Sequence, residues 1–379
     1  MAEGFAWEEI LRRMIAAEAS DLHLAPDQCV RMRLDGVLVP EIFTPTAHDM
    51  DCMLDTMLTD AQRVTLQRSD VDFAWVYLGR RFRGNAYRMQ NGVGLALRLL
   101  PKRIPTPEMI GMPAALRALA AARDGLALVC GATGAGKTTT LAALIEMINQ
   151  TQCAHIITLE DPIEYVHPHK RATFNQREMG DDFDTFANGL RAALRQAPKV
   201  ILVGEIRDRE TIEIALTAAE TGHLVFSTLH TIDTGQTINR ILGMFEHNEQ
   251  PQIRHRLADT LRWVVSQRLL PQVGGGRVAA MEVMCSSLRV RDLILNGETE
   301  ERTFYNVVKE GVTLNMRTFD QHLTELFHDG LISEKTALSY ASHRSEVKRG
   351  LDTIKAARGE RTSSIEGLAL EGEEEDGWL

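Results

Sequence analysis

The sequence predicts an α/β fold: a parallel sheet with helices on both faces, preceded by a smaller α+β domain and followed by a helical C-terminal region. Three observations predict it. Four short apolar runs, Leu126–Cys130, His155–Leu159, Val200–Val203 and Leu224–Ser227, alternate with stretches of helical spacing. The first run leads straight into Gly131-Ala132-Thr133-Gly134-Ala135-Gly136-Lys137-Thr138, after which Leu141, Leu144, Ile145 and Ile148 fall on one helical face. Within the first hundred residues, by contrast, apolar residues recur at alternate positions, the pattern of half-buried strands.

Taken in order, residues 1–100 form the α+β domain. Trp7, Ile10, Leu11, Met14 and Ile15 lie on one face of an opening helix. Val30, Met32 and Leu34 alternate with arginines up to Asp35-Gly36, a hairpin turn signal, and Val37 and Val39 resume the alternation. Leu95, Leu97 and Leu99 mark a later strand. A stretch with Pro101, Pro105, Pro107 and Pro113 reads as a linker over 101–113. The core follows over 114–275 and the helical region over 276–357, where Thr318 and Gln321 make a capping box ahead of Phe319, Leu323, Leu326 and Phe327. Residues 358–379 form an acidic tail expected to be disordered.

Bulk properties narrow the function classes. A chain of 379 residues can build two or three cored domains. The net charge of −10 sits largely in the tail, leaving the body near −4, and no basic stretch is interleaved with aromatics. That argues against nucleic acid as a partner. Five scattered cysteines, Cys29, Cys52, Cys130, Cys153 and Cys285, support neither a disulfide framework nor a zinc site and are expected to be reduced and buried, as suits the cytoplasm. No apolar run reaches the roughly 20 residues of a membrane span, so any membrane association is expected to go through a partner.

The glycine loop carries the chemistry. It fits the pattern Gly, four residues, Gly-Lys, then Ser or Thr, in which backbone amides cradle phosphates, Lys137 reaches the outer phosphates and the Thr138 hydroxyl faces magnesium. A strand before it and a helix after it supply the context that makes a nucleoside triphosphate site, because the helix N-terminus adds free amides and positive charge. The other strand ends are polar too. Glu205 follows Val200–Val203 and is placed to face the metal shell, directly or through water. Glu160, Asp161 and Glu164 follow the second run, with Pro162 stiffening the turn, and Glu164 could align or deprotonate an attacking water. His230 follows the fourth run, where a γ-phosphate sensor could sit, and His223 precedes it. Arg191, Arg195, Arg207 and Arg209 surround Glu205 in sequence, to form ion pairs or to reach phosphate. In open sheets, ligands sit beyond the carboxyl ends of the strands, so these clusters are expected to converge on one nucleotide.

Together these segments resemble the secretion-type hexameric ATPases and, within them, the type IV pilus retraction motors of the PilT/PilU family. The resemblance covers roughly residues 5 to 350. Glu160–Tyr165 is similar to the family's aspartate box, Arg195–Asp208 to its Walker B signature, and Thr221-Gly222-His223 through His230-Thr231 to its histidine box. Ser20-Asp21-Leu22-His23-Leu24 and Arg81-Phe82-Arg83-Gly84-Asn85 resemble its N-terminal motifs. The resemblance implies a RecA-like P-loop ATPase core with a PAS-like N-terminal domain. It implies ATP and Mg2+ as ligands, with Gly131 to Thr139 gripping the nucleotide, Glu205 as the Walker B glutamate, Glu164 as the catalytic glutamate and His230 as sensor. Glu160, Asp161, His223, Arg195 and Arg207 would support them, while Arg81, Arg83 or Arg98 would reach a nucleotide on an adjacent subunit.

As partners, the resemblance implies a homo-hexameric ring, an inner-membrane platform protein and a paralogous retraction ATPase. The protein would then be cytoplasmic and peripheral to the inner membrane. The ending Met316-Arg317-Thr318-Phe319-Asp320-Gln321 is similar to the PilU-type branch. Missing N-terminal and zinc-binding insertions weigh against a pilus-extension or type II secretion motor. An accessory subunit dependent on another motor is the alternative of a different class. One residue departs from the family pattern: Lys199 follows Pro198 where an aspartate is usual, and it is expected at the sheet edge remote from the nucleotide.

Overall fold

The computed structural model describes residues 7–34 and 36–360. Its strands, in chain order, are β1 (Asp21–Leu24), β2 (Arg31–Leu34), β3 (Val37–Pro40), β4 (Val71–Tyr77), β5 (Arg80–Met89), β6 (Gly92–Leu99), β7 (Gly125–Cys130), β8 (His155–Glu160), β9 (Thr173–Glu178), β10 (Val200–Val203), β11 (Leu224–Leu229), β12 (Leu261–Pro271) and β13 (Arg277–Cys285). The chain forms two compact units. One comprises the described residues up to Thr106 together with Ile145–Gly204; the other comprises Pro107–Leu144 together with the described residues from Glu205 onward.

In the first unit an antiparallel sheet runs in the order β3-β2-β1-β6-β5-β4. Period-two alternation puts Leu22, Met32, Leu95 and Leu97 on one face, where Ile10, Leu11 and Met14 of helix Trp7–Ala16 cover them. Each such side chain contributes about 1.5–3 kcal/mol by leaving water. Met50, Met53 and Leu54 complete the core from helix Ala47–Met57, whose start is fixed by a Thr46–Asp49 capping box. Leu34 pairs with Val37 across the hairpin, as the alternation predicts, although Asp35 lies outside the described residues. The edge strand β3 is exposed throughout. The same unit holds the parallel ribbon β10-β8-β9, in which Val203 pairs with Leu159 and Glu160 with Glu178.

In the second unit, β7 lies between β11 and β12, parallel to both, and β13 returns antiparallel to β12 from the Pro271–Arg277 register. All six residues of β7 and of β11 are buried, which is why both read as unbroken apolar runs. The predicted capping box at Thr318 and Gln321 is present and opens helix Phe319–His328. Phe319, Leu323, Leu326 and Phe327 pack from it against Leu270, Ala280 and Leu351. The helical stretch expected from residue 276 begins instead with β13, because Ala279–Met284 are buried against β12. Three cysteines also depart from the expectation of burial: Cys29 and Cys153 lie on loops and Cys52 on a helix, all exposed, while Cys130 is buried in β7. The acidic tail beyond residue 360 lies outside the described residues. No helix among the described residues is long and apolar enough to cross a membrane.

Candidate nucleotide site

The phosphate loop leaves the carboxyl end of β7 and feeds helix Lys137–Thr151. Two of its glycines are required by their surroundings. Gly131 has φ +148°, and a Cβ there would stand 2.6 Å from the Gln267 carbonyl oxygen; Gly136 has φ +87°, with the Gln267 amide nitrogen 2.8 Å from the same position. Gln267 on β12 is thus the floor under the loop. It is buried and accepts a 2.7 Å hydrogen bond from the Thr140 hydroxyl, tying loop, helix and strand together.

Lys137 is 9 % exposed. Its ammonium donates to the Gly131 carbonyl at 2.7 Å and the Ala132 carbonyl at 3.2 Å, so the chain folds the cation back over the loop that should hold phosphate. Burial holds its pKa below the ordinary lysine range, opposed by the nearby Cys130 and Glu205. His230 joins this lysine to Glu205: its Nδ1 stands 3.5 Å from the ammonium and its Nε2 3.2 Å from the carboxylate. A neutral ring protonated on Nε2 satisfies both contacts, accepting from Lys137 and donating to Glu205. Arg207 forms an ion pair with the same carboxylate. A 480 Å³ cavity lies beside this chain, lined by Glu205, Arg207, Leu229, His230 and residues of helix Thr234–Leu242. Thr138 and Thr139 sit half-buried on the first turn after the lysine. The Thr138 hydroxyl and the Glu205 carboxylate are hard oxygen donors, the kind magnesium takes when phosphates complete its shell.

The acidic segment belongs to the first unit. Glu160, the last residue of β8, is 7 % exposed and accepts from Thr158 Oγ1 at 2.7 Å and Gln176 Nε2 at 3.0 Å. Burial pushes its pKa up to about 7, and the charge of Glu164 adds to the shift. Asp161 is exposed and Glu164 half-buried. Glu178, buried at the end of β9, receives the Ile163 backbone amide at 3.2 Å and pairs with Arg81. It is a residue that the sequence pattern did not mark.

Other expected residues lie elsewhere. His223 precedes β11, at the end opposite His230 and about 20 Å away along six strand residues. Its Nδ1 faces the Ala218 carbonyl at 2.9 Å and the Thr221 hydroxyl at 3.2 Å, contacts that close helix Arg209–Glu220. Arg195 is exposed at the C-terminus of helix Phe186–Leu194. Arg98 donates to Asp21 at 2.8 Å, so the aspartate of the first N-terminal motif clamps β6 to β1. Arg81 is committed to Glu178, whereas Arg83 on β5 forms no ion pair among the described residues. Lys199 is exposed just before β10, its amide bonded to the His155 carbonyl at the amino end of β8.

The chain as a whole is similar to known proteins. Residues 4–281 match the family described as type II/IV secretion system protein. The type IV pilus retractation ATPase PilT of Pseudomonas aeruginosa is 40 % identical over 332 residues, 87 % of this chain and 96 % of that protein. The type IV pilus ATPase PilU of the same organism is 36 % identical over 375 residues, 98 % of each chain. Among solved structures, the pilus retraction motor PilT with bound ADP superposes with a TM-score of 0.81 at 42 % identity, covering 90 % of this chain and 98 % of that one. With a family match over most of its length and relatives aligned nearly end to end, the chain belongs to the type II/IV secretion system protein family.

Proposed function

We propose that this protein is an ATP-hydrolysing motor that powers type IV pilus retraction and assembles as a homo-hexamer beneath an inner-membrane platform protein. The observation that carries the reading is the chain Lys137–His230–Glu205 beside a phosphate loop with its glycines locked in place. Such a chain has a use when an anion arrives: Lys137 exchanges two carbonyl acceptors for phosphate oxygens, and His230 registers the change because it is bonded to the ammonium. Glu205 and the Thr138 hydroxyl would hold Mg2+, which when bound neutralises charge on the β- and γ-phosphates. Glu164 takes a proton from the attacking water as oxygen bonds to the γ-phosphorus and the bond to the bridging oxygen breaks, releasing ADP and phosphate. Glu160 and Asp161 support that carboxylate. Arg83 is the N-terminal arginine left for a neighbouring subunit's nucleotide.

Relatives named for pilus retraction favour this motor over a secretion motor. The alignment with PilU over nearly the whole of both chains favours the PilU-like branch and keeps open an accessory role beside a paralogous ATPase. Retraction measured in a deletion strain, with and without the paralogous motor, decides between them. Retraction lost with this gene alone supports an autonomous motor; full retraction without it points to the accessory role. Absence of ATP turnover in the purified ring would overturn the motor itself.

A further inference from the structure

The chain between β8 and β9, residues 161–172, is a parallel crossover built without a helix or a strand. Parallel strands are ordinarily joined through a helix, which satisfies its own backbone. This crossover must find partners for its amides and carbonyls elsewhere. The two strands supply them. Thr158 pairs with Gln176 and Glu160 with Glu178 across the ribbon, so period-two alternation puts all four side chains on one face. From that row Glu178 takes the Ile163 amide at 3.2 Å, and the Glu160 carboxylate takes the amide of Glu164. Gln176 makes three bonds at once. Its side-chain nitrogen donates to the Tyr165 carbonyl at 2.8 Å and to Glu160 Oε1 at 3.0 Å, and its oxygen accepts the His167 amide at 2.8 Å. The side chain has one working orientation, since reversal would set its oxygen against a carbonyl and a carboxylate. Farther along, Asn149 of helix Lys137–Thr151 holds the Pro168 carbonyl at 2.8 Å. Glu164 therefore lies between pinned neighbours, with Ile163 tied to Glu178 on one side and Tyr165 tied to Gln176 on the other.

We infer that Gln176 is a positioning residue for the Glu164 carboxylate, fixing the crossover after Glu164 and the supporting Glu160 with one side chain. The inference rests on the reading of Glu164 as the proton acceptor. The bonds to Tyr165 and His167 hold the backbone that follows Glu164, and the bond to Glu160 steadies the carboxylate that receives the Glu164 amide. Removing Gln176 loosens all three, and a displacement of about 1 Å at a reacting group costs about a hundredfold in rate. Steady-state ATP turnover of the full chain tests it, with calorimetry of ADP beside it. In Gln176→Ala, kcat should fall about ten- to a hundredfold, while KM for ATP and the affinity for ADP stay within about twofold. A residue that acts through Glu164 has little left to do once that carboxylate is gone. Gln176→Ala added to Glu164→Gln should therefore lower kcat by less than about twofold beyond Glu164→Gln alone. Gln176→Glu keeps the length of the side chain and its bond from the His167 amide but replaces the donating nitrogen, and it carries the same test if the alanine variant does not fold. Unchanged kcat in the single variant, a loss of ADP affinity that matches the loss of kcat, or a full further loss in the double variant overturns the positioning role. Wild-type turnover in Glu164→Gln alone overturns instead the reading of Glu164 on which that role depends.

Discussion

Lys137, which opens the helix after the phosphate loop, and Glu160, the last residue of β8, are both buried ionisable groups, yet their surroundings treat them oppositely. Lys137 has two carbonyls, an imidazole nitrogen and the Glu205 carboxylate within reach, so its positive charge is compensated although burial lowers its pKa. Glu160 has a hydroxyl and an amide as donors and a second carboxylate nearby, so burial wins and its proton is held to about pH 7. The first arrangement suits a site that must offer a fixed charge to an anion. The second suits a site where a proton can be held close to a group that needs one removed. Breaking each separately shows whether these two roles are distinct.

The largest effect is expected from Lys137→Ala. It removes the cation that stabilises charge developing on the transferred phosphoryl group, and turnover should fall by about a thousandfold or more, since such preorganised donors are worth about 10²–10³ each and a full charge more. Steady-state phosphate release measures this, and wild-type-like turnover would refute the assignment. Next comes Glu164→Gln, which keeps the shape but loses the proton acceptor. Turnover should drop by about 10²–10⁴ while ADP binding stays within a few-fold. Loss of binding would move Glu164 from the chemistry into the binding shell.

A third prediction tests the held proton directly. A carboxyl whose pKa is raised from 4.5 to about 7 on folding binds its proton more tightly in the native state. Its stabilising contribution is therefore complete below pH 4.5 and is lost as pH climbs through 7. The full difference is about 3 kcal/mol, from the standard energy per pKa unit. Glu160→Gln keeps an oxygen for Thr158 and Gln176 but cannot ionise. Urea midpoints followed from pH 5 to pH 8 should decline in the wild type and flatten in the variant; parallel slopes would show that Glu160 titrates normally.

The sequence revealed these two centres unequally. Glycine spacing between an apolar run and a helical face marks the phosphate loop because the backbone itself imposes that pattern, with Gly131 and Gly136 pressed against Gln267. The fully buried strands β7, β10 and β11, and β8, buried from Ile156 onward, were legible because their apolar runs are unbroken. β12 was not, since Arg262, Ser266, Gln267 and Arg268 interrupt its apolar run. Of these, Gln267 floors the loop and Arg268 holds the Tyr340 carbonyl, contacts set by tertiary packing that no local spacing encodes. Glu178 escaped for a like reason, its partners Arg81 and Ile163 being distant in sequence. The charge of Glu160 was visible as a letter, but its burial, which changes its chemistry, was not.

The smallest effect sharpens the comparison along a single strand. His223 and His230 bracket β11, and sequence alone gives both a place in the same motif. Their contacts differ in kind: His230 faces Lys137 and Glu205, whereas His223, among the described residues, faces the closing turn of a helix. His223→Ala should therefore cost about 1 kcal/mol of stability, the usual worth of one such hydrogen bond, and leave turnover of the assembled protein within about twofold. His230→Ala should lower turnover by at least tenfold with a smaller change in stability, because its ring is half exposed and its bonds serve the site. Thermal unfolding and phosphate release, measured on both variants in parallel, separate the two histidines. If His223→Ala lost turnover as steeply as His230→Ala without losing stability, the amino end of β11 would have to take part in the motor through a contact beyond this chain, and the division between a catalytic and a capping histidine would fail.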